Sequence, residues 1–201
     1  MALRRGIFGG SFDPPHLGHL LLSERVREAL SLDVLHWMPV AQSPFKQGHA
    51  TTDAAHRMAM IEAAIDGNPR FELSDADLRS KAPHYSVDLL RELRGRWPHD
   101  ALIFVMGGDA FNGFDRWHRP REILALATLA VVGRPGDPLE VERLTAQWPE
   151  LRDRLAVVEM PLIDLSSTDI RQRVGAGLSI RYMVPAAVRR YIRQKGLYRT
   201  D

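Results

Sequence analysis

The chain alternates short, continuous apolar runs with longer runs of helical character, and this alternation constrains the fold more than any other feature. Strand-like runs lie at 4–10, 34–40, 71–74, 101–109, 128–136 and 155–161. Helix-like runs lie at 17–30, 53–67, 86–97 and 120–127, and two more start near Ser167 and at Pro185. Continuous apolar strands separated by helices are typical of a mainly parallel sheet with both faces covered. We therefore expect an α/β fold with a mainly parallel sheet in a single domain spanning 1–201, closed by two helices.

Composition excludes several kinds of site and partner. The chain has no cysteine, which rules out disulfides and thiolate metal sites. The N-terminal residues lack the apolar core of a signal peptide, and no apolar run is long enough to cross a bilayer, so we expect a cytoplasmic protein. A net charge of +2 is too small to indicate binding to nucleic acid or a membrane. The basic, acid-free segment 170–199 fits a solvated face from which one or two side chains neutralise a polyphosphate.

Polar or glycine-rich junctions follow the predicted strands, and these junctions are where a ligand is expected. In an open parallel sheet, ligands bind beyond the carboxyl ends of the strands. The candidate junctions are 9–19, 39–46, 107–109 and 133–136, with a further segment, LSSTDIR, at 165–171. The loop at 41–52 is long and polar, a pattern found both in functional lids and in loops that are merely mobile.

The segment GGSFDPPHLGHL, at 9–20, has the composition of a phosphate-binding turn. Gly9 and Gly10 let a ligand approach the backbone, and the helix that follows offers unpaired N–H groups and partial positive charge. His16 and His19 are three residues apart, so they share a face at the start of that helix. The segment lacks the GK[ST] and GxGxxG patterns. A tight turn with two incidental histidines remains an alternative, and a metal site would need a third ligand that the sequence does not place nearby.

The segment SSTDIR, at 166–171, is a second candidate for a phosphate site. Ser167 and Thr168 supply hydroxyl and N–H groups where a helix begins, and Arg171 lies one turn further on. An ordinary helix cap would need only one hydroxyl residue. Two such helix starts in one small domain suit a triphosphate, or two phosphorylated substrates.

These motifs resemble a known family. GGSFDPPHLGHL is similar to the GG(T/S)FDPxHxGH signature of the HxGH nucleotidyltransferases. Further segments occur in the order and spacing of bacterial nicotinate-nucleotide adenylyltransferases, and they cover essentially the whole chain: MPVAQSPFK, YSVDLLREL, MGGDAFNGFDRW, VVGRPG, LSSTDIR and IRYMVPAAVRRYIRQKGLY. The resemblance implies a Rossmann-like, doubly wound sheet with a small C-terminal helical part at about 166–201. It also implies adenylyl transfer from ATP to nicotinate mononucleotide, giving nicotinate adenine dinucleotide and pyrophosphate in NAD biosynthesis.

The resemblance also implies roles for individual residues. His16, His19 and Arg171 would be catalytic. ATP would be bound by Gly9, Gly10, Ser11, Phe12, Gly107, Asp109, Arg134, Ser167 and Thr168. Nicotinate mononucleotide would be bound by Lys46, Tyr85, Ser86, Asp109 and Trp117. We expect Mg²⁺ to arrive with ATP rather than at a dedicated protein site, and a monomer or small homo-oligomer.

The chain departs from the family pattern at three positions. Ser11 and Ser86 stand where threonine is usual, and both keep a hydroxyl. Phe45 stands where the family often has histidine, which removes a polar group from the 41–52 loop. Two other functions remain open: an HxGH enzyme acting on phosphopantetheine, and a non-catalytic module that senses pyridine nucleotides. A class I aminoacyl-tRNA synthetase is excluded because the chain lacks a KMSKS-like loop and room for a tRNA-binding domain.

Overall fold

The computed structural model describes residues 2–40, 51–79, 85–133, 138–161 and 163–199. Within these ranges the strands are Arg4–Gly10 (β1), Val34–Pro39 (β2), Phe71–Leu73 (β3), Ala101–Gly107 (β4), Thr128–Gly133 (β5) and Leu155–Glu159 (β6). The longer helices are Leu17–Ala29 (α1), Ala54–Ile65 (α2), Ser86–Arg96 (α4), Ser167–Gly175 (α9) and Ala186–Lys195 (α10). The shorter helices are Ala76–Arg79 (α3), Gly108–Asn112 (α5), Pro120–Leu126 (α6), Val141–Gln147 (α7) and Leu151–Arg154 (α8).

The six strands form one sheet in the order β3-β2-β1-β4-β5-β6, and every neighbouring pair is parallel. This confirms the expected α/β, doubly wound fold. The strand order reverses between β1 and β4. Because the chain leaves these neighbouring strands toward opposite edges, a crevice opens between their carboxyl ends, which is where such sheets bind ligands.

The central strands are apolar throughout because both faces of the sheet are covered. Successive side chains of a strand point to opposite faces. On β4, Phe104 packs in the core on one face while Ile103 and Val105 pack in the core on the other. The same division separates Ile7 from Phe8 on β1. A third apolar cluster, which includes Met60, Ile170 and Val188, joins α2, α9 and α10.

The helix boundaries follow local capping chemistry. Asp53 caps α2, and its side chain accepts a hydrogen bond from the Ala55 N–H at 2.7 Å. Pro120 is the first residue of α6, a position where its missing N–H costs no hydrogen bond. Ser166 caps α9 by accepting from the Asp169 N–H at 3.1 Å. Among the described residues, no helix is both long and apolar enough to span a bilayer.

Candidate active site at the carboxyl edge of the sheet

The two histidines of the first motif lie together at the start of α1. His16 is the N-cap residue, and the two imidazole rings stack with centroids 3.7 Å apart and planes 24° apart. The His16 N–H donates to Nδ1 of His19 at 3.2 Å. Because Nδ1 of His19 is an acceptor, the proton of the neutral ring lies on Nε2, which makes that atom a hydrogen-bond donor. The pair therefore places imidazole donor chemistry where the positive end of the α1 dipole already favours anions.

An aromatic cluster fixes the turn that precedes the histidines. Phe12 has a left-handed backbone with φ of 48°, and its ring is buried against Phe8, Trp37 and His19 at centroid distances of 5.2, 5.0 and 5.1 Å. A Cβ added to Gly10 would lie 2.8 Å from the Phe12 ring. Packing against Phe12 therefore explains the glycine at position 10. The contact with His19 means that the same packing orients one of the two imidazoles.

Asp13 is the next residue of the turn, and both of its carboxylate oxygens accept hydrogen bonds. Oδ1 accepts from the Tyr198 hydroxyl at 2.6 Å, and Oδ2 accepts from the Thr52 N–H at 3.0 Å. The residue is only 3% exposed. Its carboxylate thus joins the turn to the start of α2 and to the C-terminal segment.

Arg57 of α2 stabilises the same turn through hydrogen bonds to main-chain carbonyls. Its guanidinium is buried and donates to the carbonyl oxygens of Ser11 and Val40, both at 2.9 Å, and to that of Thr52 at 3.0 Å. Burial lowers the pKa of Arg57, and the nearby Asp13 carboxylate opposes that change. A buried guanidinium next to a buried carboxylate satisfies the polar groups of the turn without exposing either charge.

The second motif lies directly against the first. The Ser167 hydroxyl donates to the Pro14 carbonyl at 2.9 Å, and Nη1 of Arg171 donates to the Asp13 carbonyl at 2.7 Å. Nη2 of Arg171 also contacts the Thr168 hydroxyl at 3.3 Å. A guanidinium has five N–H donors, so these two bonds orient Arg171 and leave donor capacity for a ligand. The expected convergence of the two helix starts is therefore present in the fold.

The carboxyl end of β4 forms the other side of the crevice. Gly107 is exposed, and a Cβ added there would meet no atom of the described residues within 4 Å. Its φ of −81° and ψ of 165° are open to any residue, so neither packing nor backbone conformation requires glycine at this position. Asp109 lies in the first turn of α5 and is also exposed. The open space at Gly107 suits the close approach of a ligand.

A separate group of aromatic residues lies where α4 begins. Tyr85 is the N-cap of α4 and Ser86 is its first residue, as the sequence predicted. The Tyr85 ring stacks on the ring of His118, with centroids 4.2 Å apart. The neighbouring Trp117 packs on Phe104 and is partly buried. Trp117 thus belongs in part to the core. The stack of Tyr85 on His118 brings the start of α4 close to the segment that carries Trp117.

Sequence reasoning overlooked several residues of this region. Thr52, Arg57 and Tyr198 support the phosphate-type turn, and His118 contacts Tyr85, but none of them belongs to a motif with a recognisable local spacing. The C-terminal GLY segment was a signal for Tyr198, although it indicated family membership and not a contact. Lys46, Arg134 and Phe45 lie outside the described residues.

The donors at this site suit phosphate better than a cation. They are imidazoles, hydroxyls, a guanidinium and the N–H groups of two helix starts, while both oxygens of the buried Asp13 already accept hydrogen bonds. Over the part of the chain that the structure describes, no group of three or more histidine, aspartate or glutamate side chains could hold a metal ion. No cluster of side chains in the described ranges would therefore hold a metal ion by itself.

Comparisons with known proteins agree with the fold and identify the family. Residues 7–173 match the cytidylyltransferase-like family. A protein of Thermomicrobium roseum described as "Probable nicotinate-nucleotide adenylyltransferase" is 44% identical over 98% of this chain and 92% of its own length. A protein of Exiguobacterium sibiricum with the same description is 39% identical over 98% of this chain and 100% of its own.

A solved structure shows the same fold at low sequence identity. It is the Plasmodium falciparum nicotinic acid mononucleotide adenylyltransferase complexed with NaAD, which superposes with a TM-score of 0.80. The match covers 98% of this chain and 97% of the other, at 18% identity. Together with the relatives that match at 39–44% identity over nearly the full chain, these findings give the family. The chain belongs to the cytidylyltransferase-like family and, within it, to the nicotinate-nucleotide adenylyltransferases.

Proposed function

We propose that this chain transfers the adenylyl group of ATP to nicotinate mononucleotide, forming nicotinate adenine dinucleotide and pyrophosphate in NAD biosynthesis. One observation carries the proposal. Arg171 and Ser167, on α9, donate to carbonyls of the same turn that ends in His16 and His19. A guanidinium and two imidazoles that meet at one turn form a set of donors suited to a chain of phosphates.

The reaction exchanges one phosphorus–oxygen bond for another. A 5′-phosphate oxygen of the mononucleotide attacks the α-phosphorus of ATP, and the bond from that phosphorus to the bridging α–β oxygen breaks. The electron pair of the broken bond leaves with pyrophosphate. The nucleophile is already an anion, so the step requires neither a general base nor a covalent enzyme intermediate. The work of the protein is to align two phosphates that repel each other, which supplies about 7–11 kcal/mol of the barrier reduction in the best cases.

The phosphates of ATP are assigned to the two helix starts. His16 and His19 contact the phosphates around the reacting phosphorus, with Nε2–H as the donor of a neutral His19 ring whose Nδ1 accepts from the His16 N–H. Arg171, Ser167 and Thr168 hold the β- and γ-phosphates and stabilise the leaving group. Donors placed where negative charge builds up act mainly on the transition state.

The remaining contacts are assigned to the two sides of the crevice. The open space at Gly107 receives the adenosine, with Asp109 accepting from a ribose hydroxyl and Arg134 as a further contact. Gly9, Gly10, Ser11 and Phe12 offer backbone along the nucleotides.

The pyridine nucleotide is assigned to the aromatic group beside α4. Trp117 stacks on the pyridine ring, and the N–H groups of Tyr85 and Ser86 bind its carboxylate. Lys46 reaches the mononucleotide phosphate. ATP enters as its complex with a divalent cation, with Mg²⁺ as the expected ion.

An assay of pyrophosphate release tests the proposal. Purified protein with MgATP is given nicotinate mononucleotide, nicotinamide mononucleotide or phosphopantetheine in turn. Release that requires nicotinate mononucleotide supports the assignment. Release with phosphopantetheine alone assigns the chain to another HxGH activity. Binding of ATP and nicotinate mononucleotide without release from any acceptor indicates a sensor module instead of an enzyme.

A further inference from the structure

We propose that the Tyr198 hydroxyl is a positioning group for Arg171, acting through Asp13. This inference rests on the proposed function, because it concerns the turnover of the same site. It assigns to the C-terminal segment a role in catalysis that goes beyond closing the fold.

The end of α10 directs Tyr198 back toward the phosphate-type turn. Gly196 caps the helix in the left-handed conformation with φ of 63°, and the Leu197 N–H donates to the Ile192 carbonyl. Tyr198 itself has φ of 64°, an uncommon value for a residue with a side chain. The reversal brings its hydroxyl to 2.6 Å from Oδ1 of Asp13. An unfavourable backbone conformation is kept here because the surrounding contacts hold it.

Asp13 links this hydroxyl to Arg171 within a single residue. Its side chain accepts from Tyr198 and from the Thr52 N–H, while its main-chain carbonyl accepts from Nη1 of Arg171 at 2.7 Å. The hydrogen bonds of the carboxylate hold residue 13 in place, and the main-chain carbonyl of that residue is the acceptor that orients Arg171. Loss of the Tyr198 bond therefore loosens the restraint on this stretch of backbone and lets the acceptor of Arg171 shift with it.

The Tyr198 hydroxyl is needed because the Asp13 carboxylate is buried beside the proposed phosphate-binding site. With Tyr198 present, each carboxylate oxygen has a donor, and the buried Arg57 adds an attractive charge nearby. Burial and the bond to Asp13 raise the pKa of Tyr198 far above its usual range, so the hydroxyl stays a donor at all working pH values. Without it, Oδ1 would be a buried acceptor lacking its donor, and the carboxylate would turn to find water.

A matched control is available seven residues earlier in the chain. Tyr191 of α10 also reaches α2, where its hydroxyl lies 2.9 Å from Nδ1 of His56. Both tyrosines tie the C-terminal segment to the body of the protein, but Tyr191 does not contact the turn at Asp13. Loss of the Tyr191 hydroxyl therefore measures what a structural hydrogen bond of this type contributes.

The test is a double-mutant cycle with the full chain. Tyr198→Phe, Tyr191→Phe, Arg171→Ala and the Tyr198→Phe, Arg171→Ala double variant are compared with the parent protein for Tm, kcat and KM. We expect Tyr198→Phe to lower kcat about tenfold to a hundredfold with a Tm close to that of Tyr191→Phe. In the Arg171→Ala background, the same substitution should change kcat by less than about twofold, because its target is already absent.

Two results would overturn the inference. One is a kcat for Tyr198→Phe equal to that of Tyr191→Phe. The other is an unreduced effect of Tyr198→Phe in the Arg171→Ala background, which would show that the hydroxyl acts without Arg171. If the parent protein released no pyrophosphate with nicotinate mononucleotide, the proposed function would fail first. Calorimetric measurement of ATP binding to the same four variants would then decide the inference alone. Weaker ATP binding in Tyr198→Phe, with no further weakening when this substitution is added to Arg171→Ala, supports the inference. Unchanged ATP binding in Tyr198→Phe refutes it.

Discussion

The two edges of the sheet use charged and polar residues in different ways. At the carboxyl edge, Arg171 and Ser167 bind main-chain carbonyls, and open space remains around Gly107. At the amino edge, the side chains pair with one another: Arg5 forms an ion pair with Asp100 at 2.5 Å and lies over the Trp97 ring at 4.3 Å.

His36 completes the cluster at the amino edge. It is buried, stacks on Trp97 with ring centroids 4.7 Å apart, and its Nε2 lies 3.2 Å from the Arg5 guanidinium. The comparison shows that the Arg171 guanidinium keeps donor capacity for a ligand, whereas the Arg5 guanidinium is used in an ion pair and ring contacts that serve stability. Substitutions at the carboxyl edge should therefore change turnover, and those at the amino edge should change stability.

The largest effect is expected from His19→Ala. Loss of one donor to a developing phosphate charge should lower kcat by about a hundredfold to a thousandfold, or about 2.7–4 kcal/mol of transition-state stabilisation. His19 is only half-buried, so the Tm should fall little. Steady-state kinetics of pyrophosphate release, with thermal unfolding as the control, check both parts. Near-normal turnover would remove His19 from the mechanism and weaken the contrast between the edges.

The next effect concerns acid sensitivity at the amino edge. Burial lowers the pKa of His36 from 6.5 to about 4, and the positive charges of Arg5 and Arg96 add to the effect. The Glu72 carboxylate, 3.4 Å from Nδ1, would raise the pKa, but its side chain is 59% exposed and well solvated, so burial prevails.

The sign of the pH dependence follows from that depression. As pH falls from 6.5 to about 4, the unfolded chain binds a proton at this histidine and the folded protein does not, so stability is lost over this window. The loss is about 3 kcal/mol, and His36→Gln should remove it. Urea unfolding at several pH values measures it, with the exposed His99→Gln as the control. Equal acid sensitivity in both variants would contradict the assignment.

The smallest effects are expected from substitutions at two glycines on neighbouring strands, one of which should change stability and the other KM. A Cβ at Gly6, in the amino half of β1, would lie 2.2 Å from Cδ1 of the buried Leu35. One at Gly107 would meet nothing within 4 Å in the part of the chain that the structure describes. Gly6→Ala should therefore cost about 1–3 kcal/mol of stability through overpacking. Gly107→Val should leave stability within about 0.5 kcal/mol and raise KM for ATP about tenfold.

Thermal unfolding and KM measurements on both variants test this pair. A Gly107→Val enzyme with unchanged KM would mean that ATP does not approach this glycine. A Gly6→Ala protein as stable as the parent would mean that Leu35 can repack.

The sequence was informative where the signal is local. Each predicted strand is present because buried parallel strands need continuous apolar runs. Pro120 marked the start of α6, and the hydroxyl residues near Ser167 marked the start of α9, because capping preference depends on the residue itself. The short helices α3, α5, α7 and α8 were missed, since four to seven residues hold too few turns to show a periodicity.

The sequence by itself determined the parallel sheet, the motif at its first turn and the chemistry of its imidazoles and guanidinium, because these depend on residue type and short spacing. Only the tertiary structure decided which distant groups meet. Ser167 reaches Pro14 across 153 residues, Arg171 reaches Asp13 across 158, and Tyr198 reaches Asp13 across 185. The physical reason is that these contacts depend on how the crossovers and the last two helices pack against the sheet, and no local pattern encodes that packing.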